Sequence, residues 1–344
     1  MTYEVTIAIP VYNAEKYIRK AMDSALAQTF SSIEFLVCDD CGTDKSINII
    51  REYQQTHPRG LAIHIVHQPH NMGIGESRNR LVDEACGQYI YFMDADDYIE
   101  PDTIEKLYNN AIKYDAQLVY GSFERSENLG GEEKRIQWVY PDMQFKEDGR
   151  FAAWVYRKYE GIQSMIWNIL IKVDVFRQNG LRFPALNYWE DFVTTIDLPT
   201  YVNRVVLLSD ITYHYICRKG SLSTNQHSNI VKKDNIAKLV KSIDTLKFNS
   251  DRIKQEEYFP LRMQKVMMTC FYIVCSILSQ RKKITPSFTG IEMRNMMLSP
   301  LTLSEILRFG HARSINLLLY LLGILPPSVS ISLIWLMGKF KRLI

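Results

Sequence analysis

Three carboxylates follow a short apolar run in the first third of the chain. Residues 89–93 read Tyr-Ile-Tyr-Phe-Met, and Asp94, Asp96 and Asp97 come directly after them. A β-branched and aromatic run favours a buried strand, and three acids within four positions repel one another unless a cation lies between them. Such oxygen ligands suit Mg²⁺ or Mn²⁺, with a phosphate-bearing substrate completing the shell. A solvated Asp-rich turn is the alternative interpretation.

Strand-like and helix-like segments alternate before these acids. We predict strands at residues 3–9, 33–38, 62–67 and 88–93, separated by helices at residues 14–28, 45–55 and 76–86. Asn13 is placed to cap the first of these helices. Strict alternation favours a mainly parallel sheet covered on both faces, which binds its ligands at the carboxyl ends of its strands. The acids and Asn13 follow such strand ends, so we expect them to converge at one edge.

Composition narrows the class of protein. The chain has 344 residues, of which 47% are hydrophobic, enough for one large domain and an appendage. Six cysteines show no disulfide framework and no cleavable signal precedes the first predicted strand, so we expect a cytoplasmic protein. Residues 258–344 carry eleven Lys or Arg against two Glu, a net charge of +9, whereas the rest of the chain is acidic.

Five spaced motifs in residues 5–97 resemble the nucleotide-sugar half of the family 2 glycosyltransferases. They are the Pro-x-Tyr-Asn end of residues 5–13, Gln-Thr-Phe at 28–30, and three segments at 37–44, 71–79 and 92–97. The last three stand where the family reads V-D-D-G-S-T-D, N-x-G-x-x-x-A-R-N and F-L-D-x-D-D. Cys38, Cys41 and Ser77 depart from these patterns without removing a charged group. The resemblance implies an α/β protein with the GT-A fold, a mainly parallel central sheet and inverting chemistry.

The resemblance also assigns the nucleotide-binding side chains. Asp40 would accept a hydrogen bond from the base of a uridine nucleotide, and Pro10, Tyr12 and Asn13 would wall that base. Arg78 would neutralise or orient the nucleotide, although a surface position on its helix is the alternative.

The diphosphate and its cation are assigned in the same way. Asp96 would bind Mn²⁺ or Mg²⁺, and Asp94 would meet the ribose or the metal shell. Residues 213–223 resemble the Y-x-Y-R-x-x-x-x-S-x-S segment that closes over the diphosphate in the family. Arg218 and Ser221 would then grip phosphate oxygens, and His214 is a further candidate metal ligand, with simple packing as the alternative.

A second group of motifs resembles the family's acceptor side. Residues 166–176 resemble the W-N-K-L-Y-x-x-x-x-F segment, with Ile169 in place of the usual Lys. Glu190 and Asp191 lie in a segment that resembles E-D-x-x-F, in which the second acid is the general base. Asp191 is therefore the predicted base and Glu190 the second candidate, since adjacent side chains diverge and the sequence does not show which points inward. A helix N-terminus that favours acids is the alternative.

The last third of the chain has helical periodicity only. Apolar runs at residues 315–325 and 329–337 are separated by Pro326 and Pro327, and each is shorter than the about 20 residues that span a bilayer. Basic residues follow them, so we predict an interfacial anchor, with a buried helical hairpin or a dimer face as alternatives. We expect a catalytic domain at residues 1–225, with a nucleotide-sugar half (1–97) and an acceptor half (98–225), and a basic, membrane-associating helical region at 226–344.

Together these patterns predict an inverting glycosyltransferase for surface polysaccharide synthesis. It would move a sugar from a UDP-sugar to a lipid-linked glycan at the inner face of the plasma membrane. A sugar nucleotidyltransferase is one alternative, but it requires a glycine-rich basic loop after the first strand, and residues 10–13 are not one. A catalytically inactive, membrane-tethered binding protein is the other. We expect no nucleic-acid partner, since the basic residues lie beside apolar runs.

Overall fold

The structure is a computed structural model that describes residues 3–128, 134–158, 162–218 and 232–344. Contacts divide the chain into an N-terminal unit, Met1–Phe151 with Gln163–His227, and a C-terminal unit, Ala152–Ile162 with Ser228–Ile344. The domain boundary expected at residue 225 lies outside the described residues. The division at residue 97 stays a prediction.

Four parallel strands form the first half of the sheet in the N-terminal unit. They lie in the order β3-β2-β1-β4, where β1 is Val5–Val11, β2 is Ile33–Asp39, β3 is Ile63–His67 and β4 is Tyr89–Phe92. Helices α1 (Ile18–Leu26), α2 (Ser46–Thr56) and α3 (Ile74–Glu84) connect them. Every residue of β1 and β4 is buried, which explains their continuous apolar runs. The predicted alternation of strand and helix is confirmed.

The second half of the sheet is mixed. It contains β5 (Tyr98–Ile99), β6 (Leu118–Asn128), β7 (Lys134–Trp138), β8 (Met143–Phe145), β9 (Ile169–Lys172) and β10 (Val205–Arg218). Its helices are α4 (Thr103–Lys113), α6 (Val173–Asn179) and α7 (Glu190–Asp197), whereas α5 (Arg150–Arg157) begins in the N-terminal unit and lies mostly in the C-terminal unit. The order continues β4-β9-β6-β10-β5, and β9 runs antiparallel to both of its neighbours. The predicted α/β fold class is therefore confirmed, with the parallel pairing concentrated in the first four strands.

Asn168 fixes the start of β9 within this sheet. Its side-chain amide donates to the carbonyls of Gly121 (2.7 Å) and Ser122 (3.0 Å), and its Oδ1 accepts from the Tyr91 hydroxyl (3.0 Å) and Thr212 Oγ1 (2.8 Å). All four hydrogen-bonding positions of a fully buried amide are thus satisfied. Asn tolerates the left-handed backbone found here, φ 58°. One side chain therefore links β4, β6 and β10.

The first helix begins later than predicted. Helix α1 begins at Ile18, and Asn13 does not cap it. Instead Asn13 Oδ1 accepts from the Thr43 amide at 2.8 Å, and Ser46 Oγ accepts from the Ala14 amide at 2.8 Å. These bonds from a distant loop hold residues 13 and 14 in a turn, so a local capping rule does not apply.

Helices form the C-terminal unit. They are α8 (Lys233–Asn249), α9 (Phe259–Ser279), α10 (Gly290–Met296), α11 (Leu303–Leu307), α12 (Arg313–Ile324) and α13 (Pro327–Phe340). Within the described ranges, α9 alone is long and apolar enough to cross a membrane. Of its most apolar 18-residue stretch, 61% is buried inside the protein. Its Met263, Val266 and Val274 side chains are buried, as expected of a central core helix. The predicted C-terminal helical region is confirmed.

Candidate active site

The acidic loop after β4 is tied to β10 through Asp97. This carboxylate is buried and accepts from the Tyr213 hydroxyl at 2.7 Å and from the Ile216 amide at 2.8 Å. Burial raises the pKa of Asp97 well above its usual range, and the charges of Asp96 and Asp94 raise it further. Asp97 therefore holds the loop in place and leaves the other two acids to face a ligand.

Asp94 and Asp96 each contact an arginine. Arg78 Nη2 donates to Asp94 Oδ1 at 3.1 Å, and Arg218 Nη2 donates to Asp96 Oδ2 at 2.5 Å. Burial raises the pKa of Asp94 to about 6, Arg78 opposes that change, and the charges of Asp96 and Asp191 add to it. Each of these two carboxylates is therefore paired with one guanidinium.

Arg78 is the centre of the site. Its side chain is buried on α3, and its Nη1 donates to Glu190 Oε1 (2.5 Å) and to Asp191 Oδ1, while its Nη2 contacts Asp94. Burial disfavours the cation, but Asp191, Asp94 and Glu190 together raise the pKa of Arg78 far above its usual range. The alternative of a surface helix residue is wrong, because Arg78 is 1% exposed. One permanent cation therefore joins the acidic loop to the second acidic motif.

Glu190 and Asp191 begin α7, directly after Trp189 with its left-handed backbone of φ 68°. The expectation that their side chains diverge is wrong, because both carboxylates converge on Arg78. Burial and the neighbouring Asp191 carboxylate together raise the pKa of Glu190 to about 9, against the effect of Arg78. Glu190 therefore keeps its proton at neutral pH. Asp191 is less enclosed, and its Oδ2 accepts from the Ile166 amide at 3.4 Å.

The predicted base-binding residues lie at the ends of β1 and β2. Asp40 is buried, and its two carboxylate oxygens accept from the Met72 amide (2.7 Å) and the Gly73 amide (3.0 Å). The Asp40 amide in turn donates to the Val11 carbonyl at 3.0 Å. Asp40 thereby fixes the loop before α3, which carries Arg78. Its contact with a nucleotide base stays a prediction.

Three other predicted nucleotide-binding residues follow the end of β1 or lie within it. Pro10 is buried in β1 and pairs only with β2, because the ladder to β4 stops at Ala8. Tyr12 is 52% exposed, and Asn13 is exposed apart from its bond to Thr43. This edge therefore offers an exposed aromatic ring close to the buried Asp40.

The predicted diphosphate-binding residues lie on β10 or beyond it. The Arg218 guanidinium stacks 3.8 Å above the Tyr17 ring while it binds Asp96. His214 Nε2 hydrogen-bonds Glu100 Oε1 at 2.7 Å, and its ring stacks on Tyr98 at 4.4 Å. Its role as a metal ligand stays a prediction, and Ser221 lies outside the described residues.

The donor set at the acidic loop is of the kind that hard divalent cations prefer. Asp94 and Asp96 lie two positions apart in the loop and supply carboxylate oxygens. In the part of the chain that the structure describes, no three His, Cys, Asp or Glu side chains are arranged to hold a metal ion.

Two positioning groups were not predicted from the sequence. The Tyr213 hydroxyl donates to Asp97 and accepts from the Asp94 amide at 3.2 Å, and its ring stacks on Trp167 at 4.5 Å. Asn168, the next residue after Trp167, holds β9 as described above. Both lie in segments whose motifs are visible in the sequence, but the spacing alone shows neither the stacking of Tyr213 on Trp167 nor the bonds of Asn168 to three strands.

An α/β sheet with an acidic strand-end loop, joined through a buried arginine to a second carboxylate pair, has the layout of a GT-A glycosyltransferase. Residues 6–189 match the family model described as glycosyl transferase family 2, more than half of the chain. The chain belongs to that family.

Relatives with assigned names support the same family. The glycosyltransferase GlyA of Streptococcus pneumoniae serotype 4 is 32% identical over 229 residues, which are 64% of this chain and 31% of GlyA. The putative glycosyltransferase EpsH of Bacillus subtilis is 29% identical over 226 residues, which are 64% of this chain and 63% of EpsH. The poly(ribitol-phosphate) beta-glucosyltransferase of Bacillus spizizenii is 26% identical over 219 residues, 63% of this chain and 32% of that protein. The chain thus spans less than two thirds of each of these relatives.

Solved structures support the fold. The crystal structure of Staphylococcus aureus TarS 1–349 aligns with a TM-score of 0.64 at 17% identity, covering 93% of this chain and 90% of that one. The structure of the same protein in complex with UDP-GlcNAc aligns with a TM-score of 0.58 at 16% identity, with the same coverage. At this identity the likeness establishes a GT-A-like fold.

Proposed function

We propose that this protein is an inverting glycosyltransferase that moves a sugar from a UDP-sugar to a hydroxyl of a glycan in bacterial surface polysaccharide synthesis. The observation that carries the proposal is the bridge made by Arg78. It places the acidic loop of the nucleotide-sugar side and the candidate base Asp191 within hydrogen-bonding reach of one guanidinium. A single displacement requires this proximity, because the leaving group and the attacking hydroxyl lie on opposite sides of one carbon atom.

Support for the donor comes from the strand-end residues and from the relatives. Pro10, Tyr12, Asn13 and Asp40 lie at the edge where the base of a nucleotide would bind. TarS 1–349 has been crystallised with UDP-GlcNAc, and relatives of this chain carry the names of glycosyltransferases. In the proposal Arg218 and Ser221 bind the diphosphate.

Asp96 and Asp94 would hold Mn²⁺ or Mg²⁺, with His214 as a further candidate ligand. When bound, such an ion neutralises the negative charge that develops on a departing nucleoside diphosphate. Arg78 is held by three carboxylates and is therefore an electrostatic support for Asp94 and Asp191 rather than a free ligand for phosphate.

Asp191 is the proposed general base. An acceptor hydroxyl oxygen bonds to the anomeric carbon as the bond from that carbon to the diphosphate oxygen breaks, and the diphosphate leaves with the electron pair. The hydroxyl proton passes to the Asp191 carboxylate. Glu190 already carries a proton at neutral pH, so it does not accept another and instead donates toward Asp191.

The proposed acceptor is a lipid-linked glycan, and the proposed location is the cytoplasmic face of the plasma membrane. One relative, the poly(ribitol-phosphate) beta-glucosyltransferase, acts by its name on a poly(ribitol phosphate) polymer. The basic and apolar C-terminal region would bring the protein to a lipid-borne substrate.

Thermal unfolding with a panel of nucleotide sugars and Mn²⁺ tests the donor assignment. A ligand at 100 times its Kd stabilises the folded state by about 2.7 kcal/mol, so UDP-sugars should raise the Tm and other nucleotide sugars should not. Asp191→Asn is the matched variant, expected to keep the shift and lose transfer. No shift with any nucleotide sugar would refute the donor site, and a product that retains the donor's anomeric configuration would refute the inverting mechanism. Donor binding without transfer or hydrolysis would favour the inactive binding protein.

A further inference from the structure

The last two helices expose apolar side chains to solvent. On α13, Val329, Leu333, Leu336 and Phe340 are all exposed and follow helical spacing. The opposite positions Ser330, Ile334 and Gly338 are buried in the protein. Leu336 and Phe340 are 60% and 92% exposed, which is unusual for large apolar residues on a regular helix. A helix that is apolar on both its buried and its exposed sides is typical of one that contacts a second apolar phase.

Helix α12 has the same character. Ile315, Leu318, Leu321 and Ile324 are exposed, whereas Asn316, Leu319 and Leu322 are buried. The Asn316 side chain donates to the Pro260 carbonyl at the start of α9 at 2.9 Å. The exposed stripe of α12 therefore faces away from α9.

The two helices that carry these exposed side chains are neighbours in the C-terminal unit. Helices α12 and α13 contact each other, and both contact α9 and α10. Ser330 Oγ donates to the Leu322 carbonyl at 2.6 Å, and a Cβ added at Gly338 would lie 3.1 Å from Cys275 Sγ of α9. Both helices therefore bury some side chains within the C-terminal unit and leave other, apolar side chains exposed. We call the exposed residues of α12 and α13 the apolar face.

Charge distinguishes the possible occupants of the apolar face. Residues 306–344 contain no Asp or Glu, whereas Arg313, Lys339, Lys341 and Arg342 lie at or next to the ends of the two helices and Arg308 precedes α12 by five residues. A second copy of this face would bring cations against cations with no acid to pair them. A bilayer with anionic headgroups supplies both an apolar interior and the missing negative charge. Lys339 Nζ lies 4.1 Å from the Trp335 ring, and Trp with Lys is a pair typical of membrane interfaces.

We infer that the apolar face docks on an anionic lipid bilayer, with α12 and α13 lying in the plane of the interface. Each helix is too short to span, at 12 and 14 residues, so the surface binds without crossing. The inference depends on the proposed function in one respect only, namely that the acceptor is linked to a lipid. The docking itself requires neither donor nor acceptor, so it can be tested when transfer activity is absent.

Flotation of the full chain with lipid vesicles tests the inference. We expect binding to vesicles of phosphatidylcholine mixed with phosphatidylglycerol, little binding to phosphatidylcholine alone, and weaker binding as salt concentration rises. The triple variant Lys339→Gln, Lys341→Gln and Arg342→Gln should bind about 100-fold more weakly, since each cation near the surface contributes about a factor of five. No binding to either vesicle, or equal binding to both, would overturn the proposal.

A matched pair of variants tests the surface. Phe340→Asp should reduce vesicle binding at least tenfold, because it removes aromatic area that the bilayer would bury and adds a negative charge that the anionic lipids repel. Phe248→Asp makes the same change at a 77% exposed position of α8 and should leave binding within about threefold of the original. Equal losses for the two variants would overturn the assignment of the surface. A dimer in sedimentation velocity that Phe340→Asp converts to a monomer, without vesicle binding, would assign the face to a second copy instead.

Discussion

Two single variants, Asp191→Asn and Glu190→Gln, distinguish the roles of two adjacent carboxyl groups that contact the same guanidinium. The Asn variant removes the proposed proton acceptor, so we expect kcat to fall by about 10² to 10⁴ with little change in donor binding. The Gln variant is a neutral isostere of the protonated side chain found for Glu190. We therefore expect Glu190→Gln to stay within about tenfold of the original rate at pH 7.

The magnitude follows from the burial of Glu190. With a pKa of about 9, only about 1% of the Glu190 carboxyls are ionised at pH 7. If Glu190 were the base, the rate of the unmodified protein would rise about tenfold per pH unit from pH 7 to pH 9. If Asp191 is the base, the rate lacks the rise that ionisation of Glu190 would cause.

The assay is kcat against pH from 6 to 10 for the original chain and both variants, with the Tm measured at each pH. Donor-induced thermal shifts control for loss of binding. A rise of unit slope between pH 7 and 9 that Glu190→Gln abolishes would refute our assignment and make Glu190 the base. Full activity in Asp191→Asn would refute it independently.

The remaining predictions concern stability and the cation. Arg78→Met leaves buried carboxylates unpaired and should lower the free energy of unfolding by about 3–5 kcal/mol. The control Arg80→Met, on the same helix, breaks only an exposed pair and should lower it by less than about 1 kcal/mol. Equal losses for the two variants in urea titrations would contradict the central role of Arg78. Chelation with EDTA should stop transfer and Mn²⁺ should restore it, except in Asp96→Ala; full transfer after exhaustive chelation would count against a metal. The pKa of Asp94 is raised to about 6 in the folded protein. Its contribution to the free energy of unfolding is therefore complete below about pH 4 and is lost as the pH rises through 6. The free energy of unfolding should fall by at most about 1.4 kcal/mol per pH unit over this range. Asp94→Asn should flatten that pH dependence of the denaturation midpoint, and an unchanged slope would show that another group causes it. Asn168→Ala should cost about 3 kcal/mol or more, because it leaves two buried carbonyls unpaired; a smaller loss would mean that water replaces the amide.

The parallel half of the sheet was predictable because its signals are local. Buried strands give continuous apolar runs, and the helices between them have helical spacing, so the predicted elements lie within a few residues of those observed. The start of α1 was missed because Asn13 bonds to Thr43, 30 residues away. A side chain that can cap a helix is here used to hold a distant loop, and no local pattern shows that choice.

The acid types at the site were predictable, but their arrangement was not. Asp94, Asp96 and Asp191 stand out by type and spacing, whereas the bonds from Arg78 join residues 112 and 113 positions apart. The four residues of β9 are too short to signal a strand between β4 and β6. Glu190 differs from Asp191 through burial, which depends on the packed structure and not on the motif that contains both.

The position of β9 also constrains how the protein is made. Its four residues join β4 to β6, yet they leave the ribosome after both of those strands. Until residue 172 has emerged, β4 and β6 each present an unpaired edge, and such edges promote pairing with other chains. Pairing so distant in sequence also slows folding. The nucleotide-sugar half therefore cannot complete its own sheet, and a nascent chain has an aggregation-prone interval that ends only when the acceptor-side segment arrives.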